Sequence, residues 1–370
     1  MIYKEFGSTG KKVSAIGFGG MRFLSEEYNK DNKICAELVL ESHKKGITYF
    51  DTAPGYCDDR SEIIMGEAFK HMKYGEFYVS TKCGLWNASD ADGARRMIEA
   101  SLKRLNVPKI TFYNLWSIKN IGEYHQMTAK GGIYDGILKA KDEGLIEHIC
   151  CTVHANGEET AQIVKDGRVE GVTLGYNALN FAYRRAGIEA CRDTGKGAVV
   201  MNPLGGGVIP AHPERFGFLT EGSDDNIATA ALKFLVAHKE ISVTLPGIGT
   251  RAHLEDALRS TQNVPLVDDA YLAAMSKKLS VELDTLCTGC SYCDSCPVDV
   301  PIPKLLEAYN EAIISGDEAK GDVSRAGNKL RWHWGISSEA AKACTECGKC
   351  EELCTQKLPV VERLKKLAML

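Results

Sequence analysis

Short apolar runs alternate with helical patterns from residue 1 to about 265, and eight of the 14 cysteines crowd into residues 287–354. The first observation predicts a parallel sheet with helices outside it, since strict strand–helix alternation builds that architecture. Close to eight such pairs in about 250 residues match the size of a (β/α)8, or TIM, barrel. A doubly wound sheet is the alternative, but no G-x-G-x-x-G follows a first strand. The second observation predicts a small metal-holding domain. The expected fold class is α/β: a TIM barrel over residues 1–265, then a small α-helical domain over residues 266–370.

The elements follow in order. Residues 13–20 are apolar and end in Gly17, Gly19 and Gly20. Strands are expected at 47–51, 77–81, 110–115, 148–153, 172–176, 198–201 and 242–245. Helices are expected at 31–45, 61–72, 91–105, 133–142, 158–164, 186–193 and 227–237, with another beginning near Ala252. The helix at 61–72 carries Ile63, Ile64, Ala68 and Phe69 on one face, the 3.6-residue period of a half-buried helix. Gly144 closes the helix at 133–142. Past the barrel, helices are expected at 268–283 and 302–315, the second with Leu305, Leu306, Ala308, Tyr309 and Ile313. Residues 316–322 form a polar break. Trp332 and Trp334 read as packing residues, because tryptophans in a small domain usually cover a large apolar area. Residues 360–370 form a docking helix.

Composition narrows the class. The chain has 370 residues, 44% hydrophobic, with a net charge of −4. That balance gives no attraction for nucleic acid or an anionic membrane. No run reaches the length of a membrane span, and the first residues lack the apolar core of a signal peptide. A cytoplasmic protein is expected, in which 14 cysteines mean metal ligands and free thiols. Oxygen-sensitive clusters would suit an anaerobe.

The two cysteine runs are Cys287-x2-Cys290-x2-Cys293-x2-Cys296-Pro and Cys344-x2-Cys347-x2-Cys350-x3-Cys354. Three thiolates two residues apart on a tight turn can bind three irons of one iron–sulfur cube. Zinc ribbons use separate C-x2-C pairs, so triplet spacing and Cys296-Pro297 argue against zinc. The second run has the bacterial ferredoxin spacing. In two-cluster ferredoxins the fourth cysteine of each run serves the other cluster. That resemblance implies two 4Fe-4S clusters, one on Cys287, Cys290, Cys293 and Cys354, the other on Cys344, Cys347, Cys350 and Cys296.

A second site is expected where barrel strands end. Asp51 ends the second expected strand, Lys82 the third, Trp116 the fourth, His154 the fifth and Tyr176-Asn177 the sixth. An acid can keep a buried lysine charged, and that charge lowers the pKa of a nearby phenol. Tyr56, in Asp51-Thr-Ala-Pro-Gly-Tyr56, then gives a proton to a carbonyl oxygen while hydride reaches carbon. The same residues also read as a structural Asp–Lys pair. His154 reads either as a replacement base or as a hydrogen-bonded structural histidine. Cys83, beside Lys82, reads better as a core thiol than as a reactive one.

Residues 1–260 resemble the aldo-keto reductases. The matching elements are Ile16-Gly-Phe-Gly-Gly-Met21, Asp51-Thr-Ala-x-x-Tyr56 with Ser61-Glu62, Ser80-Thr-Lys82, Tyr176-Asn177 and Pro203-Leu-Gly-Gly-Gly207. The cysteine tail is similar to that of a subgroup with a ferredoxin-like domain after the barrel. The resemblance implies an oxidoreductase using NADP(H) without a Rossmann fold, with Tyr56 as proton donor tuned by Lys82 and Asp51. It places cofactor contacts at Gly20, Met21, Thr152, Thr173, Met201, Gly247, Thr250 and Arg251.

The chain departs from the family pattern at several of these positions. Trp116 stands where the family has histidine, and tryptophan offers one donor and no acceptor. Thr152 and Thr173 replace a serine and a glutamine, Met201 a stacking ring, and Asp256-Ala257 a Glu-Asn pair.

The leading expectation is a small carbonyl or hydroxyl substrate, with a ferredoxin or other redox partner for the clusters. Nicotinamide moves two electrons and clusters one, and no flavin motif is visible. Two rivals remain: a nicotinamide-independent isomerase or lyase in the same barrel, and an electron-transfer or regulatory subunit whose barrel is not catalytic.

Overall fold

The computed structural model describes residues 1–155, 157–179, 181–265, 267–278, 285–287, 292–331 and 336–370. Contacts divide the chain into two compact units. One is Met1–Leu204 with Leu219–Asp268; the other is Gly205–Phe218 with Asp269–Leu370.

The first unit opens with an antiparallel hairpin, β1 (Tyr3–Glu5) and β2 (Lys12–Ser14). Eight parallel strands follow: β3 (Phe18–Gly19), β4 (Tyr49–Asp51), β5 (Tyr78–Cys83), β6 (Ile110–Ile118), β7 (Ile146–Val153), β8 (Gly171–Gly175), β9 (Gly197–Met201) and β10 (Val243–Leu245). They pair in chain order across one sheet. The bridges Ile16↔Thr244 and Gly19↔Gly247 join the last strand to the first. This is the expected barrel. Residues of β8 are buried throughout, as in strands covered on both faces.

The hairpin was not expected; residues 13–20 read as one apolar run. Its Phe6 and Val13 plug the barrel interior. They meet Tyr49, Phe112, Cys150, Val199, Val243 and Leu245. The Phe6 and Phe112 ring centroids are 4.2 Å apart. Gly197 and Gly171 leave room for that plug, since a Cβ on them would fall 2.3 and 2.5 Å from the Phe6 ring. Lys4 gives its ammonium protons to the carbonyls of Val236, His238 and Ile241, which closes the end of the helix Ile227–Ala237.

Helix starts follow their caps. Asp31, Asp90, Asn226 and Thr250 each accept a first-turn N–H through the side chain. The helix Ile121–Thr128, capped by Asn120, was not expected; only Tyr124 and Met127 are buried on it, too few for a visible period. The helix Ser61–Phe69 ends earlier than 72, and Phe181–Thr194 is longer at both ends than 186–193.

The second unit is helical: Asp269–Lys278, Ile302–Ile314, Ser324–Lys329, Lys349–Leu353 and Val360–Ala368. Its segment Gly205–Phe218 was assigned to the barrel by sequence. There the His212 ring bridges Glu214 and Glu311, at 3.0 and 3.1 Å. Trp332 and Trp334 lie outside the described residues. Among the described residues, no helix is long and apolar enough to cross a membrane.

Candidate functional site

The strand ends of β4 and β5 hold a buried ion pair. Asp51 ends β4, and Lys82 stands one residue before the end of β5; both are almost fully buried. Lys82 Nζ lies 2.7 Å from Asp51 Oδ1. Asp51 Oδ2 accepts from Ser80 Oγ at 2.8 Å, and Ser80 Oγ accepts from Asn114 Nδ2 at 3.0 Å. Asn114 also donates to the Thr81 carbonyl at 3.1 Å. A chain of hydrogen bonds thus fixes the carboxylate, which in turn fixes the lysine. Charge-assisted bonds of this kind are among the stronger ones.

Tyr56 stands over that pair. Lys82 Nζ is 5.2 Å from the Tyr56 ring centroid. The loop carrying Tyr56 turns sharply: Cys57, Asp58 and Asp59 are all in the left-handed region, with φ of 52°, 56° and 64°. Such non-glycine residues need outside support. Asp58 accepts from the Tyr28 hydroxyl at 2.9 Å, and Asp59 from the Gly55 N–H at 2.8 Å. Burial pushes the Tyr56 phenol above its usual pKa, the Asp51 charge adds to this, and the Arg22 charge opposes it. The expected net lowering by Lys82 is therefore not what the site has. The phenol stays protonated across the neutral range, which suits a proton donor.

Trp116 is presented by a bulge. The register of β6 against β7 shifts between Leu115 and Ile118, and Ser117 has a φ of 64°. Bulges commonly re-aim a side chain next to a site. The Trp116 ring lies edge-on to Tyr56, with centroids 5.7 Å apart, and edge-on to Trp86, 5.1 Å apart. Trp86 is 63% exposed. Its turn is pinned by Asn87, whose Oδ1 accepts from the Gly84 N–H at 2.9 Å. Three aromatic rings thus run side by side.

The other expected residues divide. His154 follows β7; burial, then the charges of Arg184, Lys119 and Lys82, depress its pKa to about 3. Each of these effects favours the neutral ring of His154, which is half-buried. Thr152 accepts from the Ser117 N–H at 2.7 Å, so it anchors the bulge. Thr173 pairs with it in register and is buried. Met201 ends β9, half-buried. Gly20 accepts from Ser61 Oγ at 2.7 Å, and Met21 is 52% exposed. Gly247 lies at the closing bridge, and Thr250 caps the helix Arg251–Arg259. Arg251 points outward to Glu41, Nε to Oε2 2.8 Å. Tyr176 turns to His238, 3.3 Å away. Burial drives the Cys83 thiol up to about 12, as a core thiol requires.

Sequence reasoning quoted Ser80 without giving it a role and did not single out Asn114, Arg22 or Trp86. The two-residue period of a strand puts Ser80 on the face of Lys82, so that signal was present. Arg22 lies along the Gly247–Gly249 backbone: a Cβ at Gly247 would fall 2.4 Å from its Cγ. Only the closing of the barrel brings those segments together.

In the second unit, one cavity is lined by Cys293, Cys296, Cys344, Cys347 and Cys350 with Gly348. Cys344 Sγ accepts from the Glu346 N–H and Cys354 Sγ from the Leu358 N–H, each at 3.4 Å. Cys287 is held by Asn310, which accepts from its N–H at 2.8 Å and donates to its carbonyl at 2.7 Å. Cys290 lies outside the described residues. None of the seven described cysteines of the two runs is in a disulfide. Among the described residues no three of these side chains stand in ligand geometry, but thiols lining one cavity, with backbone N–H bonds to sulfur, are the donor type that iron–sulfur clusters take.

Comparison with known proteins identifies both parts of the chain. The Aldo/keto reductase family matches residues 15–278, and the 4Fe-4S dicluster domain matches residues 286–358. The chain belongs to the aldo/keto reductase family of oxidoreductases, with a 4Fe-4S dicluster domain after its barrel. The L-galactose dehydrogenase of Arabidopsis thaliana is 25% identical over 307 residues, 76% of this chain and 93% of that one. The NADH-specific methylglyoxal reductase of Escherichia coli is 26% identical over 196 residues, 48% of this chain and 59% of the relative. An aldo-keto reductase of Bacillus halodurans in its holo form superposes with a TM-score of 0.63 at 19% identity, covering 76% of this chain and 97% of that one. A thermostable aldo-keto reductase bound to the inhibitor epalrestat gives the same score at 20% identity, covering 75% and 100%. These last two bear on the fold alone.

Proposed function

We propose that the barrel interconverts a small carbonyl compound and its alcohol, with Tyr56 moving the proton at the substrate oxygen. The observation that carries this is the Lys82 ammonium, 2.7 Å from Asp51 and 5.2 Å from the Tyr56 ring centroid. Bound NADP(H) would supply or take the hydride. Gly20, Met21, Thr173, Met201, Gly247 and Thr250 would line its path. Arg22, a cation lying along Gly247–Gly249, favours a phosphate-bearing cofactor. Trp116 would donate its indole N–H to the substrate oxygen where the family has histidine. Lys82, paired with Asp51, would stabilise negative charge arising on the phenol as the proton leaves.

The aromatic row of Tyr56, Trp116 and Trp86 supports a planar carbonyl substrate, such as an aryl aldehyde, which would stack where an aliphatic compound has little to touch. In the second unit, Cys344, Cys347, Cys350 and Cys296 would hold one 4Fe-4S cluster, and Cys287, Cys290, Cys293 and Cys354 the other. A redox protein such as a ferredoxin is the partner this implies, in the cytoplasm of an anaerobe. The domains we assign are residues 1–265 and 266–370 in sequence terms.

A second reading has one observation in its favour. Arg251 is already paired with Glu41, so the adenine end has no free arginine there. A barrel without nicotinamide would run proton chemistry alone. Calorimetric titration of anaerobically purified protein with NADPH and NADH separates the two. Micromolar binding of either nucleotide is expected, and no binding at millimolar concentration would favour the second reading.

A further inference from the structure

Arg363 sits in the helix Val360–Ala368, with only 6% of its surface exposed. Its Nη1 is buried without a hydrogen-bond partner among the described residues. The guanidinium carbon lies 5.2 Å from the Tyr309 ring centroid, so the ring serves as its platform. The nearby carboxylate is already engaged: Glu318 accepts from the Tyr309 hydroxyl at 3.0 Å and pairs with Lys366 at 2.7 Å. A buried cation left in this state is strongly unfavourable unless a negative charge faces it.

Two thiols supply the direction of that charge. Asn310, next to Tyr309 on the helix Ile302–Ile314, clamps both backbone groups of Cys287. Cys354 accepts from the Leu358 N–H, two residues before the helix of Arg363 begins. Both thiols are thus tied to the two helices that bury Arg363. They come from the two ends of the cysteine region, and they belong to one ligand set in the assignment above.

We propose that Arg363 is the counter-charge of the 4Fe-4S cluster held by Cys287 and Cys354, donating N–H bonds toward its sulfur and raising its reduction potential. This rests on the cluster assignment of the preceding section. The physical reason is simple. A cluster with four thiolates is anionic, and reduction makes it more so. A fixed positive charge in a dry setting therefore favours the reduced form. The other ligand set lines a cavity together with Cys293, and Lys349 is among the residues there. One arginine thus separates the potentials of two otherwise similar clusters.

The test is a redox titration followed by electron paramagnetic resonance on full-length, anaerobically purified protein. Iron and sulfide are measured first. Wild-type protein without cluster iron would overturn the cluster assignment itself. With iron intact, Arg363→Met is expected to disfavour the reduced form of one cluster about tenfold. That is a fall of about 59 mV for a one-electron couple, with the second cluster unmoved. Arg363→Lys keeps the charge and is expected to recover most of the shift. Two unmoved potentials in Arg363→Met, or an equal fall in both, would overturn the proposal. If Arg363→Met does not retain iron, Arg363→Lys decides: retained iron supports a charge role, and lost iron indicates a role in shape alone.

Discussion

Single residues decide how the barrel site responds to protons. His154 titrates at about 3, depressed first by burial and then by neighbouring cations. The rate profile is therefore expected to lack the limb near pH 6.5 that an unperturbed histidine gives. His238 is held at about 4, chiefly by burial, with its ring between the Phe234 carbonyl and the Tyr176 hydroxyl. The sign follows from linkage. Both folded values lie below the unfolded one, so between about pH 6.5 and 4 the unfolded chain binds more protons. Stability is expected to be full above pH 6.5 and to fall as pH drops toward 4. Urea melts across that range check this, and His238→Gln should flatten part of the slope. Trp86 makes a different claim. Replacing it with alanine is expected to lower the preference for 4-nitrobenzaldehyde over methylglyoxal, as a kcat/KM ratio, about tenfold; stacked pairs contribute about 0.5–1.5 kcal/mol. Trp86→Phe should retain most of the preference, and an unchanged ratio in Trp86→Ala would remove the aromatic row from substrate choice.

Elements set which residues sequence reasoning reached. Asp51 and Lys82 were legible because strand ends in a parallel barrel share one rim, so two residues far apart in sequence had to meet. Caps went unread, although Asp and Thr mark helix starts by their own hydrogen bonds. The hairpin β1–β2 was not, since its strands have three residues each and too little alternation to separate them from β3. The bulge at Trp116–Ser117 was not either, because one extra residue leaves no compositional mark. The role of Thr152 went with it: an expected cofactor contact became the anchor of that bulge. The hairpin matters to stability. Phe6→Ala would open a void among Tyr49, Phe112, Cys150 and Val243, and is expected to cost about 3–5 kcal/mol. Chemical melts of the isolated variant test this, and a loss under about 1 kcal/mol would mean that the plug is dispensable.

At the scale of the whole molecule, two chemistries share one chain. The barrel closes around a buried Asp–Lys pair and an aromatic row, while the helical unit gathers thiols around a cavity. Cysteine spacing alone foretold the second unit, because ligand geometry must be built from short, fixed intervals. It did not foretell that Gly205–Phe218 counts with that unit, where His212 meets Glu311 across 99 residues of chain. Nor did it show Arg363, whose burial comes from helix packing rather than from any motif.

The central claim is that Tyr56 moves the proton at the substrate oxygen. The most direct measurement is single-turnover reduction of 4-nitrobenzaldehyde by Tyr56→Phe and wild type, with nucleotide affinity measured on both. The account predicts a fall in rate of at least about a hundredfold with nucleotide binding retained, in line with the loss of a positioned proton donor. An unchanged rate would contradict it and leave the barrel as a scaffold for its iron–sulfur unit.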